Sequence, residues 1–330
     1  FIFRAVSQTI ETVSMSLNKL RLSMAGTAAV IIGVSTLGLA LIMSSLGTLN
    51  LTSLILLAAG FNLLQWLLAP YLINLTYRVK PMSPDQNPGL HSSLEELSRR
   101  SGIKTPKLMV SSLPIPNAFA YGSPLTGSHV AVTRGLLDAL DAEQVNAVVG
   151  HELGHIKHRD MHLMMMASFL PSLFYIIARS TMFSRDRDRG STGLLGAASL
   201  LVYFLLSLAN LSLSRTREYY ADMHSAGLTP GGARKMGEAL TRISQATYRT
   251  QMFAPRQAGS GSFKALFISD PDRAGRDLNE MYKTGFSGDY EFVDQLAARR
   301  VSGFESFLEL FSTHPNMVKR LRALRALESG

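Results

Sequence analysis

The sequence predicts an α+β chain, mainly helical and integral to a membrane, with about four transmembrane helices and a polar domain that contains a small sheet. Three observations carry this. Charged residues are 17% of the 330-residue chain, against roughly 25% in an average soluble protein. No charge stands between Arg21 and Arg78, between Asp160 and Arg179, or between Arg189 and Arg215. The intervening segments carry short alternating apolar runs and capped helical patterns, as a folded polar domain does.

Residues 1–23 read as an amphipathic N-terminal segment with Arg4, Glu11, Lys19 and Arg21, too polar for the apolar core of a cleaved signal. Residues 24–77 read as a transmembrane hairpin. Its two uncharged arms, 24–46 and 51–75, each exceed the roughly 20 residues needed at 1.5 Å per residue to cross about 30 Å. Trp66, Tyr71 and Tyr77 sit toward its end, where interfacial anchors belong. Arg21 on one flank and Arg78 and Lys80 on the other put both outer ends in the cytoplasm.

Residues 78–160 read as the first part of the polar domain. Pro81, Pro84 and Pro88 interrupt the exit from the hairpin, and a polar helix is expected over 92–101. Short strands are expected over 107–110 and 129–133. The stretch 113–122 between them is too rich in proline for an interior strand and suits an exposed edge. Asp141 is a good N-cap, Gln144 completes a capping box, and Leu140 opposite Val145 makes a hydrophobic staple. The helix they start runs through Val149 and onward, with a kink at Pro171.

Residues 161–214 read as a second hydrophobic hairpin, with arms 161–178 and 190–214. The loop between its arms is net positive, which opposes the positive-inside tendency, so a re-entrant hairpin is the alternative to full crossing. Residues 215–330 return to polar character, with a helix over 231–247, a Gly/Ser loop at 259–262 and a last helix beginning near Pro315. No internal repeat is present.

The formal charge is +9 and there is no cysteine. Disulfides, thiolate catalysis and Cys-ligated metals are therefore excluded, and His, Asp and Glu are left as ligands. A nucleic-acid partner is not expected, because only Lys319, Arg320, Arg322 and Arg325 approach a basic stripe. Nor is a nucleotide, since no GxxxxGK[ST] run occurs. A transporter is disfavoured because no candidate span contains Asp, Glu, Lys or Arg.

The chemistry is concentrated in His151-Glu152-Leu153-Gly154-His155, the HExxH pattern of zinc proteases. On a helix the i,i+4 spacing puts both imidazoles on one face. Two neutral imidazoles can hold one catalytic Zn2+ while Glu152 takes a proton from water at the open position. Gly154 is costly in mid-helix and implies a close neighbour. The third ligand is expected to be Glu218, in Arg217-Glu218-Tyr219-Tyr220-Ala221-Asp222. Asp222, one turn on, would accept from the non-metal nitrogen of a ligand histidine. The competing reading pairs Glu218 with Arg215 or Arg217, and His158, His162 and His224 are alternative ligands.

With these residues the sequence resembles the M48 integral-membrane metallopeptidases, specifically the HtpX protease branch. The resemblance also rests on Pro116-Asn117-Ala118-Phe119-Ala120, on Val132-Thr133-Arg134-Gly135-Leu136, and on His314-Pro315 with Arg320. It implies a zincin-like (gluzincin) catalytic domain with His151, His155 and Glu218 as zinc ligands and Asp222 as the acid that orients a histidine. It implies that Asn117, Ala118, Phe119 and Ala120 form the substrate-binding edge, which agrees with the ability of an exposed edge to bind extended peptide without demanding a sequence. Tyr121 stands where the family commonly has Thr, and is expected to narrow an adjacent subsite. His314 and Arg320 are placed near the active site, either stabilising the developing oxyanion or, for Arg320, pairing with Asp222 or another site carboxylate; Pro315 as a first helical residue is a sufficient structural account of the His-Pro pair.

The function so implied is a zinc-dependent, ATP-independent endopeptidase. It would sit as a multi-pass protein in the cytoplasmic membrane with its site facing the cytoplasm. Its partners would be the lipid bilayer and unfolded or damaged membrane proteins, in a quality-control and stress-response role. The alternatives are a prenyl-protein (CAAX-type) endopeptidase of the same family, disfavoured by too few candidate spans, and a catalytically inactive membrane scaffold.

Overall fold

The computed structural model describes residues 30, 32–44, 47–48, 50–158, 174–175, 177–178, 189–253, 289–303, 309 and 314–328. The elements in chain order are α1 (Ile32–Ser44), α2 (Leu51–Thr76), β1 (Val79–Pro81), α3 (Pro88–Ser101), β2 (Lys107–Ser111), β3 (Ala118–Ser123), β4 (Gly127–Thr133), α4 (Arg134–Ala139), α5 (Ala142–Lys157), α6 (Arg189–Leu228), α7 (Gly232–Phe253), α8 (Asp289–Ala298) and α9 (Met317–Glu328). The architecture is mostly helical around one small mixed sheet.

The sheet has the order β1-β2-β4-β3. β2 runs parallel to β4, and the two outer pairings are antiparallel. The stretch 113–122 reaches an edge, but not the exposed one expected. β3 begins at Ala118, after Pro114 and Pro116, and pairs with β4 alone through a hairpin closed at Gly127, whose φ of 74° favours glycine. All six of its residues are buried, because α2 and α5 cover its faces. Strand parity then sorts the side chains. Leu108, Ala118, Val130 and Val132 enter the main core with α3, α5 and α7. Met109, Phe119, Tyr121 and Ala131 face the opposite way, against Ala69, Ile73 and Tyr77 at the end of α2.

α5 starts as its sequence dictates. The Asp141 carboxylate accepts from Gln144 N at 2.9 Å, and Gln144 Oε1 accepts from Asp141 N at 3.3 Å, closing the capping box. Leu140 and Val145 are both buried in the same core. α6 is one helix of 40 residues that carries an apolar stretch from Gly193 and, near its end, Glu218 and Asp222. It packs on α5 where both helices are slim: a Cβ added at Gly154 would stand 3.0 Å from Ala221 Cα. Ser225 Oγ also donates to Ala147 O at 2.6 Å. The last helix starts beyond Pro315, and Asn316 Oδ1 accepts from Val318 N at 2.9 Å, so Asn316 acts as its cap.

Two expectations are corrected here. About four transmembrane helices were predicted, yet among the described residues no single helix is long and apolar enough to cross a membrane. α1 and the apolar part of α6, Gly193–Ser207, reach only about 20 Å at 1.5 Å per residue. α2 is bent by 43° between Leu51–Phe61 and Trp66–Thr76, with Pro70 inside it; a proline clashes with the carbonyl four residues back and removes one helical bond there. The multi-pass placement in the cytoplasmic membrane rested on those spans and falls with them. A charge-free run describes composition, whereas crossing by a single helix needs about 20 continuous apolar helical residues, and the two halves of α2 meet that length only as a bent pair. The segment 1–23, Pro171, the charged loop 179–188 and the Gly/Ser loop 259–262 lie outside the described residues.

Candidate metal centre

His151, Glu152 and His155 lie on α5, and Glu218 and Asp222 on α6; all five are at most 4% exposed. The i,i+4 spacing puts both imidazoles on the face of α5 that meets α6. His151 Nε2 and His155 Nε2 are 3.2 Å apart, and each lies 3.6 Å from an oxygen of Glu218. A tetrahedral ion with bonds of about 2.0–2.2 Å separates its ligands by about 3.3–3.6 Å, so these spacings fit one ion bound between them. Among the described residues this is the His/Asp/Glu cluster whose ligand atoms all fall within 4.8 Å of one another. Glu218 Oε2 is buried without a well-aimed hydrogen bond from a described residue, which leaves a lone pair for an ion.

Around the ligands stands a second set of groups. His151 Nδ1 lies 2.9 Å from Asp222 Oδ1, though the ring nitrogen is not aimed along that line. Arg320, from α9, grips Asp222 with two bonds, Nε to Oδ2 at 2.8 Å and Nη2 to Oδ1 at 2.7 Å. Its Nη1 stands 3.2 Å from Glu218 Oε2, and His314 Nδ1 stands 3.3 Å from the same oxygen.

These contacts set the ionisation of the site. Burial pushes the Glu218 carboxyl up, but His314 and Arg320 outweigh it and hold the group well below the usual carboxylate range. Burial likewise opposes ionisation of Asp222, and Arg320 with His151 reverses it, so this carboxyl is also held low. Glu152 differs: burial dominates and raises its pKa, with only partial relief from His155, His151 and the Ala120 N–H. Glu218 is thus kept charged, as a ligand should be, and so is Asp222 beside it, while Glu152 is kept basic.

Ala120 N donates to Glu152 Oε2 at 2.8 Å, which brings β3 against the start of the histidine motif. No spacing in the sequence signalled this bond, since the donor is a backbone group. Asn117 and Phe119 are buried at 1% and 2% exposure; Asn117 O accepts from Thr133 N in the β3–β4 ladder. Tyr121 narrows no subsite. Its ring is 0% exposed and lies on the α2 face of the sheet. His224 turns away from the ligands and meets Ser101 Oγ at 3.0 Å, with its pKa pushed down to about 4 by burial and by Lys157 and His158. His158 caps the end of α5, and His162 lies outside the described residues.

The model of peptidase family M48 matches residues 84–328. The chain belongs to that family. Among similar M48 proteins, the protease HtpX homolog of Aeropyrum pernix is 37% identical over 318 residues, covering 93% of this chain and 96% of its own. That of Thermoplasma acidophilum is 35% identical over 275 residues, covering 81% and 82%. That of Methanothermobacter thermautotrophicus is 43% identical over 188 residues, covering 57% and 71%. The crystal structure of S. mikatae Ste24p aligns over 93% of this chain and 66% of its own with a TM-score of 0.48 and 20% identity. The buried His151, His155 and Glu218 cluster is consistent with the zinc site of an HtpX-type M48 metalloendopeptidase.

Proposed function

We propose that this M48 chain is an HtpX-like zinc-dependent endopeptidase that cleaves extended polypeptide laid along β3, taking unfolded or damaged proteins, membrane proteins among them, as substrates. The observation that carries this reading is the convergence of His151, His155 and Glu218 beside Glu152, itself bonded to the edge strand. Zinc held by the three ligands supplies Lewis acidity to the scissile carbonyl and the attacking water.

The chain's own groups do the rest. Antiparallel pairing alternates: Asn117 is bonded to β4, whereas Ala120 N points away from it, to Glu152. By that parity the backbones of Ala118 and Ala120 face away from β4; with the Ala120 N–H given to Glu152, the Ala118 backbone and the Ala120 carbonyl are the groups left for an incoming strand. Glu152 takes the proton from water and returns it to the leaving amine; its raised pKa suits both halves of that task. Asp222 orients His151. Arg320 and His314 act through the carboxylates they touch, holding Glu218 charged and in place.

Zinc analysis of the purified chain, with cleavage of an unfolded reporter by wild type and Glu152→Gln, tests this. Wild type is expected to hold one zinc and to cleave; Glu152→Gln is expected to keep the zinc and lose about 10²- to 10⁴-fold in rate. Near wild-type cleavage by Glu152→Gln would reject Glu152 as the base. Failure of wild type to retain zinc would reject the site.

A further inference from the structure

β3 is a strand bonded to the sheet on one side only, so its position depends on what packs against its two faces. On the inner face Ala118 enters the main core. On the outer face Tyr121 is stacked on His129, with ring centroids 4.9 Å apart and planes 19° apart. Tyr121 also meets Phe119 at 5.7 Å with planes tilted by 44°, and Phe119 meets Tyr77 at 5.1 Å with a tilt of 51°. Beyond the ring, Tyr121 Oη donates to Asn74 Oδ1 at 2.6 Å. Asn74 lies one turn past Pro70, in the half of α2 that the bend turns away from Leu51–Phe61. A residue of the edge strand is therefore hydrogen-bonded to a helix that contributes nothing else to the metal centre.

We propose that Tyr121 and Asn74 are positioning residues for the substrate-binding edge: their hydrogen bond fixes β3 so that the outward backbone of neighbouring Ala120 keeps its place beside Glu152 and the metal ligands. The inference rests on the reading of β3 as the substrate edge. Tyr121 is adjacent to Ala120, and side chains on alternate faces share one backbone, so a slip of the ring across α2 shifts the Ala120 N–H as well. A displaced edge presents its outward backbone groups less well to an extended peptide, which costs binding. Burial raises the phenol pKa, which keeps the hydroxyl protonated and available as donor.

A bulky core tyrosine would supply packing alone, and Tyr121→Phe separates the two roles because it keeps the ring and removes the hydroxyl. Asn74→Ala removes the acceptor, and the double variant tests whether they act on one another. For Tyr121→Phe the expected result is unchanged zinc content, a KM for an extended peptide raised by about three- to tenfold, the size of one neutral hydrogen bond, and kcat within about twofold. Backbone amide exchange should quicken at 118–123 and stay unchanged in α5. The effects of the two single variants should not add in the double variant.

Wild-type KM and wild-type exchange in Tyr121→Phe would overturn the proposal, as would additive effects or a loss confined to thermal stability. Exchange is read without substrate. If β3 loosens while wild type cleaves nothing, the tether stands and the substrate-edge reading fails; if wild type cleaves and β3 is unmoved, the tether alone fails.

Discussion

His151 Nδ1 lies 2.9 Å from Asp222 Oδ1, while Nε2 of the same ring faces Glu218. This imidazole stands between two carboxylates, Asp222 beside Nδ1 and the ligand Glu218 beside Nε2. An acid in this place fixes the tautomer and raises the basicity of the ligating nitrogen. Asp222→Asn is expected to weaken zinc retention about 10- to 100-fold, measured by chelator competition. Retention equal to wild type would show that His151 needs no such partner.

The ligands and the base are expected to separate cleanly. His151→Ala, His155→Ala and Glu218→Gln should each lose zinc and activity together, because a missing imidazole or a neutral amide leaves the tetrahedron short of a donor. Zinc content and peptide cleavage, measured on each variant beside Glu152→Gln, decide the assignment. A Glu218→Gln variant that keeps wild-type zinc would place the third ligand elsewhere.

Arg320 is expected to control how the metal-free protein responds to pH. Burial pushes Glu218 and Asp222 up, and in the wild type His314 and Arg320 at Glu218, with Arg320 at Asp222, hold both low. A depressed carboxyl stabilises the fold above its unfolded value of about 4, and the benefit is lost as pH falls through the folded value. In Arg320→Met, His314 still opposes burial at Glu218, but Asp222 loses its largest opposing charge and burial pushes its carboxyl up: a raised carboxyl favours the fold at low pH, and stability is lost as pH rises through the raised value. Removing one partner of such a buried cluster costs roughly 3–5 kcal/mol near neutrality. Denaturant midpoints with chelator at pH 5 and pH 8 should therefore fall with rising pH in the variant only; parallel profiles would refute the pairing as the controlling interaction.

Two glycines of α5 should answer alanine oppositely. At Gly154 a Cβ meets Ala221 Cα at 3.0 Å, backbone that cannot yield without moving α6. Gly154→Ala should cost about 1–3 kcal/mol as overpacking and reduce zinc affinity, since Glu218 rides on the displaced helix. At Gly150 the nearest contact is Ser225 Oγ at 3.4 Å, an ordinary distance. Gly150→Ala should be neutral or gain up to about 1 kcal/mol from helix propensity. Thermal unfolding of both variants is the check, and equal effects would mean the α5–α6 crossing is looser than described.

The sequence alone determined what short-range geometry can settle. A 3.6-residue period and an Asp141–Gln144 box suffice to place His151, Glu152 and His155 on one helix, and prolines suffice to send 113–122 to a sheet edge. Glu218 and Asp222 were legible because their own i,i+4 spacing repeats the same logic. The membrane spans were misjudged because absence of charge is a property of composition, whereas the 43° bend of α2 is a property of the folded backbone, and among the described residues no single helix is long and apolar enough to cross. Only tertiary structure decided which face Tyr121 takes, since that parity is set by pairing with β4. It alone brought Ala120 N to Glu152 across 32 residues, and it decided between the two roles expected of Arg320 by pairing it with Asp222 across 98. Contacts of that separation leave no period or spacing in the chain, because they depend on how α5, α6, α9 and the sheet pack together and not on any segment by itself.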